Sequence, residues 1–465
     1  MTGRAETRRS TSARLRGRSV RAGVAGASAL ALVVTGAGPA VAQSVDPASV
    51  GSSSPVAPGS LYGAPSLSLA AATQLGAPIP LTAVLGSLEA AGSSDFPRPG
   101  SSGAPSEPVA ERDQSITSTE VRSVEPLRPG SSDPADQRAE VWTVTSQSME
   151  RTVRVEVYRA PEGMDSPNVY FLDGVGSEIP SGWSGGMGWG DPALRERDVN
   201  VIAPTGAPAS MWSDWQEDDD VLGPNNWETF LTEELPPLLE KGHEETPALA
   251  HNGDWGALGV SMGAASALHL ANTYDMFDAA GGVSGAYSTL DELGYQYARL
   301  TVDARHGDVT NMWGERGSQA WQDHDTVADP SGLQGKSVFV SAATGRVGSA
   351  ELGQFGSNEM ILLDGHILEK GSYESTRALE SALQTVPDVD LHAEYLDSGI
   401  HNWPVFVPQM APAMDHILSG LAQATPSATA AGLLGADAVG SGDSSGSSAS
   451  SGSGGSAGSS GSATN

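Results

Sequence analysis

The five residues Gly259-Val260-Ser261-Met262-Gly263 constrain this chain more than any other feature. They follow a short apolar run, Trp255 to Val260, that reads as a buried strand. They precede Ala264 to Ala271, a small-residue stretch that reads as a helix. A strand passing into a helix through Gly-x-Ser-x-Gly turns too tightly for side chains at its flanks, hence the two glycines. Such a turn lifts the Ser261 hydroxyl above the sheet. It also places the backbone N–H of Met262 at a helix start, where the dipole favours a developing oxyanion. The bland alternative is a chance Gly-Ser-Gly turn in a chain with 57 glycines. The flanking strand and helix argue against it.

The same alternation runs through the central region. Val141 to Val157 gives two strand-like runs, with strict alternation in Thr152-Val153-Arg154-Val155-Glu156-Val157. Val169 to Leu172 is a buried-strand run ending in Asp173-Gly174, and Val199 to Ala203 is another. Trp227 to Leu239 carries Phe230, Leu231, Leu235, Leu238 and Leu239 at helical spacing. Ser337 to Ser341 and Leu391 to Leu396 are two further strands. Helices between short buried strands predict an α/β fold, a mostly parallel sheet covered on both faces.

Only residues 137–423 of the 465 have the apolar content for a core, and that length suits one domain. Residues 1–42 read as a secretion signal. Seven Arg against one Glu come first, then Ala29 to Val34, then the small-x-small site Ala40-Val41-Ala42. The alternative there is a disordered basic terminus. Residues 43–136 are dominated by Ser, Pro, Gly and Ala and read as a disordered spacer. Residues 424–465 read as a flexible Ser/Gly-rich tail. The net charge of −31 argues against nucleic acid, and the absence of Cys excludes disulfides and thiolate metal sites. The expectation is a chain secreted to the exterior or cell envelope, needing no cofactor and no metal.

A nucleophilic serine needs a base. Of the 9 histidines, His401 has the right chain order and context: C-terminal to Ser261, in a loop after the strand Leu391 to Leu396. His251 and His416 read as structural or solvated. The acid should lie between Ser261 and His401. Asp364, Glu369, Glu374 and Glu380 are candidates, the last two on or near a helix expected from about 372 to 386. Periodicity does not choose among them.

Several stretches together resemble one known family. They are Phe171-Leu172-Asp173-Gly174, Met211-Trp212-Ser213-Asp214-Trp215 and Asn226-Trp227-Glu228-Thr229-Phe230-Leu231-Thr232-Glu233-Glu234-Leu235-Pro236. Leu258 to Gly263, Asn311-Met312-Trp313-Gly314 and His401-Asn402-Trp403 complete the set. In this order they resemble the secreted mycolyltransferases, the antigen 85 group and its corynebacterial relatives. The resemblance implies an α/β-hydrolase fold with Ser261 as nucleophile and His401 as base. Ile367-Leu368-Glu369 is similar to the stretch that carries the family's acid, so Glu369 is implied for that role. It implies Val175 and Met262 as backbone oxyanion donors, Asp173 as a sugar contact and Trp403 as a site wall. The family often has Arg one residue after the first oxyanion amide; this chain has Gly176 there.

The function so implied is transfer of a mycolyl group from a trehalose ester to trehalose or cell-wall arabinogalactan. Trehalose mycolates and glycan acceptors would be the partners, with an outer-envelope lipid surface nearby. The segment Tyr287 to Trp313 would shield the acyl tail. The alternatives are a secreted carboxylesterase using water as acceptor, and a non-catalytic envelope-binding protein that keeps the fold.

Overall fold

The computed structural model describes residues 112–161, 165–177, 179–184, 195–355 and 359–423. The expected signal (1–42), the spacer as far as residue 111 and the tail (424–465) lie outside the described residues. The strands are β1 (Glu120–Pro126), β2 (Ala139–Ser146), β3 (Arg151–Tyr158), β4 (Ser166–Leu172), β5 (Asn200–Pro204), β6 (His251–Val260), β7 (Ala279–Val283), β8 (Ser337–Ala343) and β9 (Asp390–Leu396). They form one sheet in the order β1-β2-β3-β5-β4-β6-β7-β8-β9. The pairs from β1 to β5 through β3 are antiparallel, and those from β5 to β9 are parallel. The strand patterns follow their setting. β3 alternates outward Thr152 and Arg154 with buried Val153 and Val155, whereas β7 and β8 are buried along their whole length.

The helices are α1 (Trp227–Thr229), running through a π turn (Phe230–Glu234) into α2 (Leu235–Lys241), and α3 (Met262–Thr273). Then come α4 (Glu292–Asp303), α5 (Val309–Trp313), α6 (Gln319–Asp323), α7 (Ser349–Phe355), α8 (Glu359–Leu383) and α9 (Trp403–Gln423). On one face of the sheet Leu231 and Leu235, Ala267 and Leu268 of α3, and Leu379 and Leu383 of α8 share a core. On the other, Val405, Met410, Met414 and Ile417 of α9 pack on Phe171, Leu258 and Phe339. A third cluster, Val302, Met312, Trp313 and Trp321 with Trp215 and Leu222, underlies the segment carrying α4 to α6. No helix among the described residues is long and apolar enough to cross a membrane.

Two boundaries differ from the sequence reading. The folded body does not begin at residue 137, because β1 lies inside the stretch read as spacer. Its pattern is weakly apolar, but β2 supplies a ladder, and Val121 is buried beside Trp142 and Val144. Ahead of it, Arg112 donates to Asp218 at 2.6 and 2.7 Å, tying the segment before β1 to a distant loop. Second, α8 starts at 359 and not near 372. Gly365 and Gly371 interrupt the apolar pattern there, but they serve close approach. A Cβ on Gly365 would stand 2.9 Å from Ile400 Cδ1, and one on Gly371 2.6 Å from the Tyr297 ring.

Candidate active site

Everything in the site hangs on the turn between β6 and α3. Ser261 is held at φ 56°, ψ −120°, a region costly for a residue with a side chain, on the order of 1–3 kcal/mol. The flanking residues must be glycine for steric reasons. A Cβ on Gly259 would lie 2.0 Å from the Gly263 carbonyl oxygen, and one on Gly263 2.2 Å from that of Leu172. The turn is therefore wedged against the end of β4, which brings Asp173 and Gly174 beside Ser261. Met262 opens α3, and the first N–H groups of a helix have no intrahelical acceptor.

His401 arrives in the loop after β9. Its backbone N–H donates to the Gly365 carbonyl at 2.9 Å, and its ring stands edge-on to Phe406 at 5.0 Å. Its Nε2 is 2.8 Å from Ser261 Oγ, and its Nδ1 is 2.9 Å from Glu369 Oε2. A carboxylate only accepts, so Nδ1 carries the hydrogen and Nε2 is left to accept from the serine hydroxyl. Glu369 is fully buried in the middle of α8. Its Oε1 accepts from Ser284 Oγ at 2.8 Å and from the Ala343 N–H at 2.6 Å. The neighbouring Tyr297 hydroxyl is pushed up by burial and by the Glu369 charge, so it stays neutral and donates to the Leu368 carbonyl.

The other candidate acids point elsewhere. Glu374 pairs with Lys370 at 2.9 Å, and Glu380 accepts from the Tyr395 hydroxyl at 2.7 Å. Asp364 is buried with no hydrogen-bond partner for Oδ1, and burial pushes its carboxyl up to about 8. His251 and His416 are engaged locally, with the Gly253 N–H and the Asp390 carbonyl.

Asp173, Val175 and Trp403 line the same cleft as Ser261 and His401, an open volume of about 1010 Å³. Asp173 is buried; its Oδ2 accepts from Ser181 Oγ at 2.7 Å and the Gly182 N–H at 3.2 Å, and its carbonyl accepts from Trp212 Nε1 at 3.0 Å. Trp403 packs edge-on against Trp183 at 5.6 Å and Phe406 at 5.8 Å. A smaller cavity of about 360 Å³ reaches Ser261 from beneath α4, lined by Met211, Met262, Ala265, Ala286 and Ala298 among others. Sequence reasoning missed Ser284 and Ser181. Ser284 follows β7 with φ 56°, and its only sequence signal is a Ser-Gly pair at a strand end.

A strand–turn–helix serine above a mostly parallel sheet, joined to a late-loop histidine and a buried carboxylate, defines an α/β-hydrolase fold with an esterase-like site. The Esterase family model matches residues 146–417. Diacylglycerol acyltransferase/mycolyltransferase Ag85A of Mycobacterium tuberculosis (strain ATCC 25618 / H37Rv) is 29% identical over 299 residues, covering 62% of this chain and 82% of that one. Ag85C of Mycobacterium avium is 27% identical over 301 residues, covering 62% and 80%. The crystal structure of Mycobacterium tuberculosis MPT51 (FbpC1) superposes with a TM-score of 0.50 at 24% identity, covering 61% of this chain and 98% of that one, a likeness of fold. The chain belongs to the Esterase family, and its relatives there are the antigen 85 group. It is an acyl-transferring enzyme.

Proposed function

We propose that this protein is a secreted serine acyltransferase. It moves a mycolyl group from trehalose monomycolate to trehalose or cell-wall arabinogalactan through an acyl-serine intermediate. The observation that carries the reading is the unbroken hydrogen-bonded path from Ser261 Oγ through His401 to Glu369, at the floor of an open cleft. The resemblance to mycolyltransferases supplies the substrate class.

In this reading Ser261 Oγ attacks the ester carbonyl while His401 Nε2 takes its proton. Glu369 stabilises the imidazolium so formed. The N–H groups of Val175 and Met262 hold the oxyanion. His401 then returns the proton to the departing sugar oxygen, leaving the acyl chain on Ser261. A second sugar hydroxyl repeats the sequence in reverse, with His401 as its base. Asp173, steadied by Ser181 and Gly182, contacts the sugar, and Trp403 forms the opposite wall. The cavity beneath α4 offers an apolar-lined recess beside Ser261 for the first part of the acyl chain. Gly176 supplies no guanidinium, so sugar recognition rests on the remaining contacts.

Incubation with trehalose monomycolate followed by mass spectrometry tests the reading. An acyl adduct on Ser261, discharged to added trehalose as the dimycolate, is the expected result. Discharge to water alone would make the protein a carboxylesterase, an outcome its family membership keeps in view. No adduct, and no labelling of Ser261 by a serine-reactive phosphonate, would leave only the binding role.

A further inference from the structure

A second constellation stands apart from the cleft. Glu228 of α1, His269 of α3 and His324, just past α6, each offer one ligand atom, all within 4.8 Å of one another. His324 Nε2 is 2.9 Å from Glu228 Oε1, and His269 Nε2 is 3.3 Å from Oε2. Glu228 and His269 are buried and His324 is nearly so. The outer contacts are also in place. His324 Nδ1 lies 2.7 Å from the Ala320 carbonyl oxygen, so its hydrogen sits on that side. Tyr274 donates its hydroxyl to Glu228 Oε2 at 3.0 Å, and the Asp214 N–H reaches Oε1 at 3.4 Å.

His324 thus faces an acceptor at each ring nitrogen, the Ala320 carbonyl at Nδ1 and the Glu228 carboxylate at Nε2, and a metal ion would bridge Nε2 and the carboxylate. A ligating histidine that gives its other N–H to a backbone carbonyl, and a carboxylate fixed by outer donors, are the features that orient metal ligands.

We propose that Glu228, His269 and His324 bind one divalent cation of the zinc class. Two neutral imidazoles and one carboxylate are a borderline-soft donor set that suits zinc over magnesium or calcium. The two rings lie stacked, 4.2 Å between centroids and 20° between planes. The ion is structural. His269 lies eight residues beyond Ser261 on α3, about 12 Å along the helix axis, outside reach of the reacting atoms. It would join α1, the nucleophile helix and the segment carrying α4 to α6, whose Leu300 and Thr301 line the cleft.

The test uses the full chain, stripped by a chelator and titrated with zinc chloride at about pH 7.5. One zinc per chain is expected, with a rise in melting temperature. His269→Gln and His324→Gln should each weaken zinc binding at least about tenfold. X-ray absorption of the zinc-loaded native chain, which needs no variant, should show two imidazole nitrogens and oxygen ligands. Absence of zinc binding, equal binding by correctly folded variants, or a different ligand set would overturn the proposal and leave Glu228, His269 and His324 as a buried hydrogen-bonded cluster.

Discussion

Ser261, Glu369 and His401 lie on three different anchors: the glycine-flanked turn, the middle of α8 and the loop that donates to Gly365. Removing one side chain leaves the other two held. Ser261→Ala and His401→Ala should therefore keep the fold and lower ester turnover by roughly 10⁴ to 10⁶. Glu369→Gln should cost about 10² to 10⁴, since it loses the imidazolium's partner and not the nucleophile. Glu374→Gln and Glu380→Gln, whose carboxylates serve Lys370 and Tyr395, should leave turnover unchanged in the same assay. Asp364 gives a separate pH signature. Its carboxyl titrates near 8 when folded and near 3.8 when unfolded, so the folded state holds the proton more tightly. Its contribution is full below the unfolded value and lost as pH rises towards 8. Melting curves of Asp364→Asn should match the parent near pH 4 and lie above it near pH 9. Equal loss of stability with pH in both proteins would contradict this.

At the scale of elements, β1 covers the edge of β2 and buries Val121. A chain beginning at residue 137 should lose at least about 2 kcal/mol, the worth of one buried Val side chain or more. It should also scatter light on heating, because β2 becomes an open edge. A melting temperature equal to that of a chain beginning at 112 would refute this. β7, Ala279-Ala280-Gly281-Gly282-Val283, gave no strand signal, whereas β2 to β6, β8 and β9 were legible because each carries an apolar run bounded by turn residues. β1 was not, because its fitness as a strand lies in its partner. The acid shows the same limit. Glu369, Ser372, Thr376, Leu379 and Leu383 fall on one buried stripe of α8 at three- and four-residue steps. That stripe would have singled out Glu369, but Ser372 and Thr376 on it are also polar and Gly371 falls between Glu369 and Ser372. Only the resemblance pointed there. Ser261 and His401 were legible from local motif and chain order, whereas the serine that holds Glu369 comes from a strand end 85 residues away.

For the whole molecule, the sheet, both helical layers and the cleft all lie within residues 112–423. A chain of those residues should fold cooperatively and keep the turnover of the complete protein, measured on a soluble ester. A loss beyond about tenfold would mean that the ends take part in the reaction. The segment carrying α4 to α6 is the part most open to modulation. It has its own cluster of Val302, Met312, Trp313 and Trp321, and it reaches the main body partly through His324 and Glu228.

The strained backbone at Ser261 also bears on how such a chain can change over generations. The conformation that exposes the hydroxyl is one that glycine adopts freely. On the proposed mechanism, a Ser261→Gly replacement would therefore end the chemistry and relax the turn in a single step, whereas Ser261→Ala would end it with the strain retained. Once selection for acyl transfer lapses, the slope runs towards a sturdier, inert descendant. On that mechanism, the serine is kept at this position only while its chemistry is selected.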